Sequence, residues 1–176
     1  MKKAFGFLAS VLPALAGCDE QPSSVVNNFD RQPEMTWSSM ISASSKGPVL
    51  ATVHGTALGM AEGDFADTVR GLMSGAIQER RIKFTGDEGA APSPNIRLTV
   101  LFGAPKTASG NKICAGQLPD LSQPEDRITV RAVFCIDGDL YSDAEGWVKD
   151  VKSADERRFQ QFIFDVMTNL FRERDN

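Results

Sequence analysis

Apolar residues alternate with other residues at Ile96, Leu98, Val100 and Phe102, and again at Ile128, Val130, Ala132, Phe134 and Ile136. A period of two predicts two half-buried strands, the second being the strongest in the chain. On that strand Cys135 points to the opposite face, beside Arg131 and Val133. Val49–Val53 after Pro48 and the brief alternation at Ile82–Thr85 predict two shorter strands. Asp137-Gly138 is a turn signal, and Asp139 to Val148 is expected to return as an edge strand.

Steps of three and four replace the period of two in two places. Phe65, Val69, Leu72, Met73, Ala76 and Ile77 form one apolar face behind Asp64, a candidate cap. Gly71 and Gly75 weaken that helix and allow another backbone close to it. Ser153-Ala-Asp-Glu156 reads as a capping box. The helix behind it carries Phe159, Phe162, Ile163, Val166, Met167, Leu170 and Phe171. This aromatic face is expected to cover the sheet. The order is β-α-β-β-β-α, an α+β fold with a single largely antiparallel sheet and two helices on one face.

Two stretches lack either period. The connection from Gly103 to Asp126 is long, polar and rich in glycine and proline. Connections beyond about 15 residues are uncommon in compact domains, and are often functional or stapled. From Asp19 to Gly47 serine, asparagine, glutamine and proline dominate, which predicts a flexible tether with a span of roughly 30 Å. Within it Trp37, Met40 and Ile41 fall at helical spacing, to dock on the domain or to meet a partner.

The N-terminus has its own pattern. Lys2 and Lys3 precede an apolar run from Ala4 to Ala14, closed by Leu15-Ala16-Gly17-Cys18. This is the layout of a secretory signal. The run is too short for the roughly 20 residues that a membrane-spanning helix needs. Leu-Ala-Gly-Cys resembles the lipobox of bacterial lipoproteins. The resemblance covers the export signal alone. It implies that residues 1–17 are removed, that Cys18 is lipidated and becomes the first mature residue, and that the protein is held in the cell envelope facing the periplasm. Asp19 after the cysteine resembles a signal for retention in the inner membrane. The expected organisation is a signal at 1–17, a lipidated cysteine and tether at 18–47, and a globular domain at 48–176.

Composition agrees with one soluble domain, at 41% hydrophobic and 24% charged residues over 176 positions. Losing the two signal lysines takes the net charge from -4 to -6. Such a surface does not seek nucleic acid or anionic lipid heads. With Cys18 assigned to lipid, Cys114 and Cys135 remain as an even pair in an oxidising compartment. A disulfide closing about 20 residues is the favoured reading, ahead of two free thiols or a metal or redox pair.

Candidate chemistry is sparse. Gly55 to Gly63 follows a strand, but contains neither GxGxxG nor GxxxxGK[ST], so a plain turn is expected there. Asp137, Asp139, Asp143 and Glu145 resemble the start of a calcium loop, yet Ser142 and Val148 stand where glycine and glutamate belong. His54, the only histidine, is a possible base without a visible nucleophile. No catalytic residue, metal or cofactor is expected. The favoured function is a non-catalytic accessory or binding subunit of an envelope complex, held to the membrane through Cys18 and meeting an envelope protein. The alternatives are a periplasmic enzyme near His54 and the 103–126 loop, or a small-ligand or lipid-binding domain.

Overall fold

A computed structural model describes residues 23–76 and 81–171. Cys18 and the segment 1–17 expected to be an export signal lie outside them, as does Ile77 of the first helical face. In chain order the elements are β1 (Ser23–Asp30), α1 (Pro33–Lys46), β2 (Val49–His54), α2 (Glu62–Gly75), β3 (Phe84–Thr85), β4 (Ile96–Phe102), α3 (Gly110–Cys114), β5 (Ile128–Ile136), β6 (Asp139–Val148) and α4 (Arg157–Leu170). All six strands join one sheet in the order β1-β6-β5-β4-β2-β3.

The fold is mixed α/β, and the sheet is not largely antiparallel. β1-β6, β6-β5 and β5-β4 are antiparallel, whereas β4-β2 and β2-β3 are parallel. The cause is α2, which carries the chain from the end of β2 back to its start, so that β3 runs alongside it. β2 shows the corresponding burial. Val49, Leu50 and Ala51 are all buried, as expected for a strand covered on both faces.

A second correction concerns the segment expected to be a tether, which contains β1 and α1. β1 pairs with β6 over Ser23–Asp30, so β6 is an interior strand. Met40 and Ala43 of α1 are buried in the main core, and Trp37 meets Phe171 at 6.4 Å between ring centroids. Trp37, Met40 and Ile41 therefore dock on the domain. The helices are also more numerous than two. α1, α2 and α4 pack on one face of the sheet, and α3 packs on the other.

The main core joins Leu98, Val100, Phe102, Val130, Ala132 and Phe134 to Phe65, Val69 and Met73 of α2 and to the buried face of α4. Phe65 meets Phe102 edge-on at 4.7 Å. The smaller core on the other face holds Leu101, Ile113, Cys114, Val133, Cys135 and Leu140. Between β5 and β6, Asp137 (φ 54°) and Gly138 (φ 87°) both adopt the left-handed region. That is the geometry of the two-residue hairpin turn that Asp-Gly favours.

The two helix starts differ from expectation. α2 begins at Glu62, two residues before Asp64. Glu156 Oε1 accepts from the Ser153 N–H, but Ser153 Oγ accepts from the Asp155 N–H and not from that of Glu156, so the capping box is only half formed. They shape a turn, and α4 starts just after it at Arg157.

Candidate functional site

The smaller core is built around a disulfide. Cys114 at the end of α3 and Cys135 on β5 are bonded, with Cα atoms 5.6 Å apart and both residues buried. Arg97 on β4 donates from Nη2 to the Cys114 carbonyl at 2.7 Å. The 103–126 connection is thus stapled at mid-length, and α3 gives it structure that its composition hid. α3 lies close to the sheet because of Gly110. A Cβ there would stand 2.7 Å from Asp143 Oδ2 and 2.8 Å from Leu140.

Beside α3 the same face carries a charged network. Arg131 donates from Nε and Nη2 to the two Asp143 oxygens at 3.0 and 2.6 Å, and lies 3.8 Å from Glu145. Burial pushes the Asp143 carboxyl above its ordinary range, and the Arg131 guanidinium pulls it back less strongly. A groove of about 250 Å³ opens next to this network, between Pro105-Lys106 and Trp147. Arg127 and Lys149 hold cationic groups 5.1 and 5.5 Å from the Trp147 ring centre. Ser24 and Val26 of β1 close the groove on its outer side.

β1 is the outer strand. Among the described residues it pairs only with β6, so its other backbone edge is open. Val26 and Phe29 are 47% and 41% exposed. Both are opposite residues of β6 that face the α3 side, Glu145 and Asp143.

His54 lies in a separate groove of about 550 Å³, at the carboxyl ends of β2 and β3. Its charged neighbours serve the fold. Glu62 Oε1 accepts from the Gly55 N–H at 3.3 Å. Arg70 pairs with Asp67 at 2.6 Å and donates to the Ala51 carbonyl at 3.3 Å. Among the described residues Thr52 and Thr85 are the only hydroxyls lining the groove. The 103–126 loop reaches Gly55, where Leu121 packs, and its charged groove with Trp147 is distinct from that of His54.

The four acids of the calcium-like stretch do not gather at one point, and the two that come together, Asp143 and Glu145, face the Arg131 guanidinium. Asp137 accepts from Asn95, Asp139 lies 3.8 Å from Arg31, and Asp143 is bound to Arg131. Local sequence pattern does not bring Arg131 and Trp147 together, because they come from different strands. The alternation does place Arg131 on the Cys135 face, but cannot show which strand lies beside it.

No known protein family matches the chain, and comparison with curated proteins and with solved structures gives no match.

Proposed function

We propose that the protein is a lipid-anchored lipoprotein facing the periplasm, which binds another envelope protein as a non-catalytic accessory subunit. The lipobox at Leu15–Cys18 supports the anchoring, and Asp19 favours the inner membrane. The observation that carries the binding reading is β1, an outer strand with an open edge and two exposed apolar side chains, Val26 and Phe29. Such an edge accepts a further strand through main-chain hydrogen bonds. Affinity capture from detergent-solubilised membranes tests this. Val26→Lys with Phe29→Lys should lose the partner while the melting temperature stays near that of the parent. Retained capture would contradict it.

A second reading places a small ligand, and catalysis, in the groove at His54. Ligands favour the carboxyl ends of parallel strands, where this groove lies. Under the binding reading His54→Ala leaves the biological phenotype intact. If it copies deletion of the whole protein, the enzyme reading takes over.

A further inference from the structure

We infer that the domain rests on the lipid headgroup layer of the membrane that holds its anchor, with Trp147, Arg127 and Lys149 as the contact. The inference depends on lipidation of Cys18, as proposed above. Its basis is the length of chain between that residue and the first strand.

β1 begins at Ser23. Only residues 19–22 separate it from Cys18. Fully extended, the five steps from Cys18 to Ser23 span at most about 18 Å. As a flexible coil they average about 12 Å. A domain of this size has a radius of gyration of about 15 Å. Whatever those residues do, they are too short to lift the domain clear of the surface. The roughly 30 Å tether expected from composition does not exist, because its greater part is β1 and α1.

The sheet register decides which groups come down first. Ser23 is opposite Val148, and Ser24 is opposite Trp147. Trp147 is also opposite Thr129 at the start of β5. The anchored end of the sheet thus presents a tryptophan with two cations stacked on it. Lys106 stands on the rim of the adjoining groove. Tryptophan settles at the headgroup level, where ring and N–H are both accommodated, and Lys and Arg reach for lipid phosphates. Asp126 pairs with Arg127 and offsets part of the cluster's positive charge. The net charge is -4 for the whole chain and -6 once Lys2 and Lys3 are removed, so electrostatic attraction is not what brings the protein to the bilayer. The lipid supplies the encounter, and the cluster sets the orientation. β1 then starts beside the bilayer, and a partner that pairs with its edge is a membrane-resident protein.

The test uses the full-length acylated protein in vesicles of phosphatidylethanolamine and phosphatidylglycerol. Trp37→Phe leaves Trp147 as the single tryptophan. Its emission should shift to the blue and fall when the lipids carry bromine near the headgroup. A Gly/Ser insert of roughly 20 residues after Glu20, which lengthens the average span from about 12 Å to about 28 Å, should remove most of that quenching. Arg127→Glu with Lys149→Glu should do the same without lengthening the chain. Acyl labelling of Cys18 is followed in the same samples. Labelled protein whose Trp147 emission is equal in brominated and plain vesicles overturns the inference alone. Unlabelled Cys18 overturns both the inference and the anchoring beneath it. A photo-cross-linker at position 147 that captures a protein in native membranes, with no quenching in lipid vesicles, assigns the cluster to a protein partner and also overturns it.

Discussion

Arg131 on β5 and Asp143 on β6 hold each other through two bonds, at 3.0 and 2.6 Å, with side chains only 11% and 3% exposed. Their backbones are two residues apart in register, on the same face, since Arg131 is opposite Glu145 and Val133 is opposite Asp143. Removing one partner leaves a buried charge. Arg131→Met should therefore destabilise by about 3–5 kcal/mol, and adding Asp143→Leu should recover much of it. The pH response has a definite sign. Without Arg131 the Asp143 carboxyl rises further above its ordinary 3.8. The folded state then keeps a proton that the unfolded chain has released, so stability falls as pH rises through that window. Urea titrations of Arg131→Met near pH 4 and near pH 7 should show the loss at the higher pH. Equal loss at both would contradict it.

Gly146 locks three elements together. A Cβ there would stand 2.6 Å from the Ser24 carbonyl, 2.9 Å from Val25 and 3.0 Å from Phe162. Gly146→Ala must push β1 or α4 away from β6, at a cost of roughly 1–3 kcal/mol. Amide exchange should quicken in β1 before it does in β5. Unchanged protection in β1 would show that the strand does not depend on this contact.

Phe162 is 1% exposed, in the core that α4 closes. Phe162→Ala should cost about 3–5 kcal/mol. For a domain of this size that lowers the melting temperature by on the order of 10 °C. A change of a degree or two would contradict the packing described.

Cys114 and Cys135 close a loop with a sequence separation of 21. Their joint replacement by alanine should lower stability by roughly 3 kcal/mol in the chain-entropy model. Mass analysis without reductant should find the two peptides linked. Full alkylation of both thiols before reduction would refute the bond.

The parts legible in the sequence are those whose periodicity is strong. β4, β5 and α4 lie where the apolar pattern put them, although β4 and β5 are buried on both faces rather than half-buried, because α3 and the smaller core cover the side that the alternation left polar. β1 was hidden by its composition. Ser23–Asp30 contains Ser, Asn and Asp, and its place in the sheet comes from backbone pairing with β6. α1 was hidden because small residues do its packing, with Thr36 and Ala43 buried beside Met40. The parallel pairs had a signal in the unbroken run Val49-Leu50-Ala51, buried on both faces. The Arg131, Glu145 and Trp147 surface needed the strand order, which local pattern does not contain. The disulfide follows from the even cysteine pair and is present.

Metabolic labelling with a palmitate analogue tests most directly the proposed attachment of this domain to a membrane through Cys18. The wild-type protein should incorporate the label and run as a shortened, mature form, whereas Cys18→Ser should take up no label and accumulate as an unprocessed precursor. A Cys18→Ser variant that is processed normally and stays in the membrane fraction would contradict the claim.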